Sequence, residues 1–300
     1  MKIKEAKRNQ FCFPDKPITI HELTLQVQKL LTENLTLTYR EVGIESRFIL
    51  EHVLKVKHPF LIQNYDKFIN QDNFKETMEI VLERITNKPL AYILKEWKFY
   101  DLEFYIDENV LIPRQDTELL VDLIIKQYKD CTELDILDLG TGSGAIGITL
   151  GKKFKNANVF LSDISLDALK IAKKNILQHK LKNISVKHSN WFSDIPKKKF
   201  DVIISNPPYI DKSDEHLKDE GLLYEPKEAL ISKQEGYADI IKIIKISPKY
   251  LKPNGTLYIE HGYNQHKKVY QLFLDNNFIK IEKNEDLNGI IRATSGKIKI

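Results

Sequence analysis

The chain has 300 residues, 42% of them apolar and 29% charged, which is typical of a globular protein of about two domains and excludes disordered and collagen-like proteins. Its net charge of +4 and its scattered basic residues do not predict a surface that grips duplex nucleic acid through many phosphates. Because no apolar run of about 18 residues occurs and the start lacks the apolar stretch of a signal peptide, we expect a cytoplasmic protein without a membrane span.

The first part of the chain, residues 18–87, is predicted to be helical. Thr19 followed by Glu22 is a capping-box pattern, and apolar residues at helical spacing come after it. Further helices are predicted at 44–54 and 73–86. Three short helices predict a small bundle, for which a scaffold role and the docking of a large partner are equally open.

A change of periodicity follows the helices. From Trp97 to Val110 aromatic and aliphatic residues alternate with polar ones, which predicts a β-hairpin, and a helix is predicted at 116–127. Strands then alternate with helices to the end of the chain, which predicts an α/β fold with a mainly parallel sheet covered on both faces. The seven predicted strands span 134–139, 158–162, 184–188, 200–205, 255–260, 277–283 and 290–298. The helices between them span 145–154, 165–179, 236–251 and 264–275.

A glycine-rich turn follows the first predicted strand of this sheet. It consists of Gly140, Thr141, Gly142, Ser143 and Gly144. Glycines let the backbone turn tightly and approach a ligand, at the strand end where open α/β sheets bind ligands. Asp163, at the end of the next predicted strand, is placed to accept both hydroxyls of a ribose. The turn alone does not exclude a dinucleotide as the ligand, because Gly142, Gly144 and Gly147 also fit the GxGxxG pattern.

The charge beside the turn distinguishes between two ligands. Asp138 precedes Gly140 by two residues, where a carboxylate can hold a cationic ligand directly or through water and repels a pyrophosphate. This favours S-adenosylmethionine over NAD. The GxxxxGK[ST] pattern of nucleoside triphosphate sites does not occur.

A stiff loop of Asn206, Pro207, Pro208 and Tyr209, here called the NPPY loop, follows the strand predicted at 200–205. Proline fixes its own φ and restricts the preceding residue. The Asn206 side-chain oxygen and the Pro207 carbonyl can act as two acceptors for one planar NH2 group, with Tyr209 as an aromatic wall. Two acceptors orient a weakly nucleophilic nitrogen and stabilise the positive charge that develops on it during methyl transfer. Asn206 and Pro207 are therefore the candidate catalytic residues.

These motifs together resemble class I S-adenosylmethionine-dependent methyltransferases that modify planar nitrogens. The segments VLIPRQDTELLV, PLAYIL, YEPKEAL, GYADI and DLNGIIR narrow the resemblance to the HemK/PrmC family of release-factor glutamine methyltransferases. The resemblance is strong from about residue 80 to the end and general in the helical part before it. It implies a Rossmann-like methyltransferase domain at 113–300, a helical substrate-docking domain at 1–90 and a β-hairpin linker at 91–112.

The resemblance also implies roles for single residues. The glycine turn would wrap the methionine part of the cofactor, Asp163 would hold the ribose, Trp191 would border the adenine, and Asn206 would also contact the cofactor. The residues implied to bind the substrate amide are Asn206, Pro207, Pro208 and Tyr209. The substrate would be the glutamine in the GGQ loop of peptide-chain release factors, methylated by a monomeric enzyme.

Three positions depart from the family pattern. Asn190 stands where the family often has aspartate, Lys95 where it usually has glycine, and Gln115 where it has a second proline. These departures bring the local turn geometry into question, whereas the chemistry is unaffected.

Other polar residues are expected to play supporting or structural parts. Arg114, Asp116 and Glu118 are interpreted either as an ion-pair network beside the cofactor pocket or as caps of the following helix. Cys12 and Cys131 have no metal-ligand spacing and are expected to be buried thiols. The histidines show no metal-binding pattern, so no metal site is predicted.

Three alternatives remain open. A glutamine of a ribosomal protein offers identical chemistry. Adenine N6 in nucleic acid offers a similar NH2 group, but a duplex base must be flipped, and the basic groove that this requires is not visible. A non-catalytic module could use the helical domain to hold a translation factor, although intact glycine and NPPY motifs argue against it.

Overall fold

The computed structural model describes residues 16–131, 133–219 and 221–298. They divide into two compact units, the first ending at Lys95 and the second beginning at Glu96. Within these ranges no helix is both long and apolar enough to cross a membrane. Cys12 lies outside the described residues.

The first unit is built from helices: α1 (Ile20–Asn34), α2 (Tyr39–Leu54), α3 (His58–Gln63), α4 (Gln71–Arg84) and α5 (Leu90–Leu94). The predicted capping box of Thr19 and Glu22 begins α1. A second capping box, of Thr38 and Glu41, begins α2 earlier than the sequence analysis predicted. The short helices α3 and α5 were not predicted, because each presents too few residues to display a periodic pattern.

The apolar faces of these helices form the core of the first unit. Leu23 and Leu31 of α1 and Val81 of α4 are fully buried in it. Beside the core, Arg84 donates from Nε and Nη2 to the carboxylate of Glu45 at 2.7 and 3.0 Å. This two-point ion pair fixes α4 against α2, because the guanidinium and the carboxylate match in only one orientation.

The second unit begins with the predicted β-hairpin, whose strands are β1 (Glu96–Phe99) and β2 (Leu102–Tyr105). Asn175 connects this hairpin to the glycine turn. Its Oδ1 accepts from the Tyr105 N–H at 2.7 Å, and its Nδ2 donates to the carbonyls of Tyr105 and Ser143 at 3.0 and 2.9 Å. The hairpin thus supports the loop that follows the first strand of the large sheet.

The large sheet has seven strands: β3 (Asp135–Leu139), β4 (Asn158–Asp163), β5 (Ile184–His188), β6 (Phe200–Ser205), β7 (Leu251–Glu260), β8 (Phe278–Glu285) and β9 (Ile291–Ile298). Their order is β5-β4-β3-β6-β7-β9-β8, and only β9 runs antiparallel to its neighbours. The predicted mainly parallel α/β sheet is therefore confirmed.

Helices of the second unit connect these strands. They are α6 (Glu118–Gln127), α7 (Ala145–Lys153), α8 (Leu166–Gln178), α9 (Lys227–Leu230), α10 (Lys233–Gly236), α11 (Ala238–Ile246) and α12 (His266–Asp275). The helix predicted to reach residue 251 ends at Ile246, because Pro248 lacks the N–H that a continuing helix needs. Cys131 is exposed, so the expectation of a buried thiol there was wrong. It follows α6 in a turn and does not belong to a strand.

Candidate active site

Three loops meet at the carboxyl edge of the sheet because the strands before them end in register. Leu139 of β3 pairs with Ser162 of β4 on one side and with Ser205 of β6 on the other. The Ser205 hydroxyl also donates to the Leu139 carbonyl at 2.7 Å. The glycine turn, Asp163 and Asn206 follow directly on these aligned strand ends. The structure therefore places the three sequence motifs side by side.

The glycine turn adopts a backbone that only glycine accepts at low cost. Gly140, Gly142 and Gly144 have φ values of +69°, +54° and +86°. Asp163 fixes the turn by accepting from the Gly142 N–H at 2.8 Å, and it accepts from the Ser165 N–H at 2.9 Å. Burial raises the pKa of Asp163, while these N–H groups act in the opposite direction. The result is a rigidly held acceptor at the strand end.

Asp138 supports the turn from beneath. It is completely buried, and its Oδ2 accepts from the Thr141 hydroxyl at 2.6 Å and the Gly147 N–H at 3.0 Å. Its Oδ1 is buried without a hydrogen-bond partner among the described residues. Burial raises the pKa of Asp138 to about 7, against the effect of the two hydrogen bonds. The direct contact with a cationic ligand that the sequence suggested is not available to so deeply buried a side chain.

Asp138→Asn is expected to stabilise the protein above neutral pH. The raised pKa of Asp138 means that the folded protein favours the protonated carboxyl, so the aspartate costs stability as pH rises from about 4 to about 7. Asparagine keeps an oxygen for the two donors and does not titrate. Chemical denaturation from pH 4 to 8 should therefore show the free energy of unfolding of the unchanged protein falling relative to the variant by on the order of 3 kcal/mol. Parallel curves would contradict this, and exposed Asp167→Asn is the control.

Trp191 forms a wall beside the glycine turn. Its ring lies against Gly140, where an added Cβ would be 3.2 Å from the indole Cζ3. Its Nε1 donates to Asp239 Oδ1 at 3.0 Å, which fixes the ring plane. Asn190 is exposed, and its Oδ1 accepts from the Lys242 ammonium at 2.8 Å. The tryptophan is thus partly buried against the site.

Two further residues at this site were missed by sequence reasoning. Ile164, directly after Asp163, is 58% exposed and offers an apolar surface beside the ribose-placed carboxylate. Asp239 orients Trp191 across a long sequence separation. The GYADI segment was the available signal for Asp239, whereas nothing in the sequence marks an exposed isoleucine.

The NPPY loop holds its asparagine in one orientation. Asn206 Nδ2 donates to the Thr117 hydroxyl at 3.1 Å. Within the described ranges no donor hydrogen-bonds Asn206 Oδ1, so this oxygen is available to a ligand. Pro207 is buried, and Pro208 and Tyr209 are partly buried. Burial raises the pKa of Tyr209, so its hydroxyl stays protonated.

Gly236 leaves room for the backbone of Tyr209, the last residue of the NPPY loop. It has a φ of +85°, and a Cβ on it would lie 2.2 Å from the Tyr209 carbonyl oxygen. The same carbonyl accepts from Gln265 Nε2 at 3.1 Å. The backbone after the loop can therefore take this path only beside a residue without a side chain.

Gly236→Ala is expected to destabilise the protein by roughly 2–3 kcal/mol, because the new methyl group collides with backbone and the positive φ becomes strained. Urea denaturation measures the effect. Gly221→Ala is the matched control, since Gly221 has a φ of −66° and a Cβ there meets no atom within 4 Å. Equal stability of the two variants would contradict the close approach.

The charged residues at the start of α6 contact three different segments of the chain. Arg114 pairs with the buried Glu225, and Asp116 Oδ2 lies 3.3 Å from the Nε of Arg292. Glu118 accepts from a backbone N–H of the hairpin turn at 2.6 Å. Of the two interpretations, ion pairs are formed by Arg114 and Asp116, each with a partner outside the three residues, and α6 begins without a side-chain cap. Glu225 and Arg292 thereby bring the YEPKEAL and DLNGIIR segments to the stretch of chain just before Thr117.

Two departures from the family pattern are accommodated by the local backbone. Lys95 follows α5 with a φ of +56°, the left-handed conformation in which glycine is favoured. Gln115 lies in a short 3-10 turn, Gln115–Thr117, that leads into α6. Both turns are formed without the glycine or the proline.

The chain matches two known family models and is similar to curated proteins. The family model "PrmC N-terminal domain" matches residues 26–94, and the model "Methyltransferase small domain" matches residues 115–238. A release factor glutamine methyltransferase from Buchnera aphidicola is 40% identical over 84% of this chain and 91% of the relative. The chain belongs to the HemK/PrmC family of release factor glutamine methyltransferases. The resemblance found in the sequence is thereby confirmed.

Some relatives are about twice as long as the part that this chain matches. A bifunctional methyltransferase from Rickettsia bellii is 34% identical over 87% of the chain, and the chain spans about half of that relative, 53%. A solved methyltransferase structure from Pyrococcus furiosus has a TM-score of 0.50 at 15% identity, covering 67% of this chain and 91% of that one, and shares the fold. In this HemK/PrmC family member, the roles of the individual site residues remain predictions.

Proposed function

We propose that this protein transfers a methyl group from S-adenosylmethionine to the side-chain amide nitrogen, N5, of the glutamine in the GGQ loop of peptide-chain release factors. The observation that carries the proposal is the orientation of Asn206, whose Nδ2 donates to Thr117 and whose Oδ1 is left to accept. With the Pro207 carbonyl, that oxygen makes a pair of acceptors suited to a carboxamide NH2 group. The names of the similar release factor glutamine methyltransferases support the same substrate.

The residues at the strand ends fit the cofactor. A Cβ on Gly142 would meet no atom within 4 Å, so there is open space beside the turn for a ligand. We assign the methionine part to the glycine turn, the ribose hydroxyls to Asp163, and the adenine to the apolar surfaces of Trp191 and Ile164. When bound, S-adenosylmethionine supplies a methyl group on a positively charged sulfur.

The NPPY loop orients the substrate nitrogen. Asn206 Oδ1 and the Pro207 carbonyl accept one N–H each, which holds the nitrogen in position for attack. They also stabilise the positive charge that develops as the nitrogen gains a fourth bond, before a proton leaves to water. Tyr209 serves as a wall and not as a base, because its hydroxyl is protonated and donates toward Glu260 Oε1 at 3.4 Å.

We propose further that residues 1–90 dock the release factor, that 91–112 link the domains and that 113–300 bind the cofactor. The protein would act as a monomer in the cytoplasm, without sequence-specific contact to nucleic acid. The small net charge of +4 supports a protein partner over a polyanion.

Parallel assays test this function. The protein is incubated with methyl-labelled cofactor and purified release factor, ribosomal protein or DNA, and the labelled residue is mapped by mass spectrometry. We expect label on the GGQ glutamine alone, and none on a release factor whose loop glutamine is replaced by glutamate. Label on a ribosomal-protein glutamine or on adenine would replace the proposed substrate.

A further inference from the structure

Glu260, the last residue of β7, is a buried carboxyl group for which the roles above have no use. Ser205 pairs with Ile259 across β6 and β7, so Glu260 lies level with Asn206 on the neighbouring strand. Glu260 is 3% exposed, and its Oε2 is buried without a hydrogen-bond partner in the described part of the chain. Such a half-satisfied carboxyl group costs stability, which suggests a role beyond packing.

Thr117 connects this carboxyl group to the asparagine. Thr117 is 4% exposed, and its Oγ1 accepts from Asn206 Nδ2 at 3.1 Å. A hydroxyl has a single proton to donate, so the proton of Thr117 points away from Asn206. The Thr117 hydroxyl also lowers the pKa of Glu260, and Glu260 Oε2 has no hydrogen-bond partner among the described residues. Thr117 therefore has a proton to donate and Glu260 an oxygen to accept it, so donation can run from Asn206 to Thr117 to Glu260.

The charge of Glu260 decides which way this chain can run. An ionised carboxylate only accepts, so Thr117 must donate to it and can only accept from Asn206. Asn206 then turns its NH2 group to Thr117 and its oxygen to the substrate. A protonated Glu260 can donate to Thr117 instead, which lets Thr117 donate to Asn206 Oδ1. The flipped amide would present NH2 to the substrate NH2, where no hydrogen bond can form.

We propose that Glu260 is a positioning residue that acts through Thr117 to keep Asn206 Oδ1 facing the substrate carboxamide. Tyr209 assists by donating to the same carboxylate from the other side of the NPPY loop. The inference rests on the proposed function, because it concerns the loop that binds the glutamine amide.

The charged surroundings of Glu260 place its titration in an accessible range. The pKa of Glu260 is raised to about 7, chiefly by burial and also by Asp116, while the Thr117 and Tyr209 hydroxyls and Arg292 act in the opposite direction. The neighbouring His261 is buried, which lowers its pKa to about 4, so it is neutral throughout an assay above pH 5.5. Glu260 loses its proton as pH rises through about 7, and kcat should rise over the same interval.

The test is the pH profile of kcat for methylation of the release factor between about pH 5.5 and 9. For Glu260→Gln we expect kcat to fall roughly 10- to 100-fold at pH 8, the rise near pH 7 to disappear, and the Kd for the cofactor to be unchanged. Thr117→Val should behave in the same way, and Thr117→Ser should restore most of the rate. The double variant should be no slower than either single one, because both break the same chain. Exposed Glu285→Gln is the control.

A Glu260→Gln variant with the original kcat and pH profile would overturn the proposal, and so would a double variant whose losses multiply. If Glu260→Gln misfolds and loses cofactor binding, the two variants of Thr117 test the proposal instead. Equal kcat values for Thr117→Val and Thr117→Ser would exclude the hydrogen-bond chain. Absence of transfer by the unchanged protein would overturn the proposed function together with this role. If the unchanged protein transfers the methyl group and the Glu260 and Thr117 variants have the same kcat, only the role of Glu260 is overturned.

Discussion

Asn206→Ala is expected to lower kcat for methyl transfer by roughly 100- to 1,000-fold while the Kd for the cofactor changes little. The alanine lacks the oxygen that accepts from the substrate amide, so the nitrogen is neither oriented nor stabilised as it gains charge. The cofactor contacts assigned to the glycine turn and Asp163 are unaffected. Single-turnover kinetics and isothermal titration measure the two quantities separately.

The control for this variant is Asn158→Ala. Asn158 is an exposed asparagine that begins β4, at the opposite edge of the sheet, and its Nδ2 donates to Asp135 Oδ1 at 3.1 Å. Its replacement should leave kcat unchanged. An Asn206→Ala variant with undiminished kcat would remove the asparagine from the mechanism.

Asp163→Ala is expected to weaken cofactor binding by roughly 100- to 1,000-fold. Hydrogen bonds to a charged group contribute about 1.5–3 kcal/mol each, and two ribose hydroxyls are assigned to this carboxylate. The variant also removes the hydrogen bond that the Gly142 N–H donates to Asp163 at 2.8 Å, so the glycine turn loses a contact that fixes it. Isothermal titration with the cofactor measures the loss.

Asp167→Ala provides the matched comparison for Asp163. Asp167 lies in the first turn of α8, is exposed and pairs with Lys170 at 2.7 Å. Its loss should not affect the Kd for the cofactor. Equal affinities of the two variants would place the ribose elsewhere.

The strands of the large sheet were predictable where they show an apolar run, as in FDVIIS of β6, or an alternation of apolar and polar residues, as in ISVKH of β5. The strands predicted at 184–188 and 200–205 match the observed β5 and β6. The start of β7 at Leu251 was missed, since Pro253 and Asn254 interrupt the apolar pattern before it recovers. The start of α2 was missed because the apolar repeat, and not the polar capping box, was used to find it.

The site was predictable where its residues are neighbours in sequence. The glycine turn and the NPPY loop each carry their chemistry within a few positions. Thr117 and Glu260 do not, because their importance arises from contacts with Asn206 and Tyr209 that exist only after β6 and β7 have paired. A lone threonine and a lone glutamate have no pattern from which such contacts follow.

The most direct measurement is a crystal structure of the protein with S-adenosylhomocysteine and a peptide containing the GGQ sequence. We expect the glutamine amide nitrogen to lie within about 3 Å of both Asn206 Oδ1 and the Pro207 carbonyl oxygen. We also expect Asn206 Nδ2 still to donate to Thr117. A peptide bound with its glutamine away from these two oxygens would contradict the proposed mechanism.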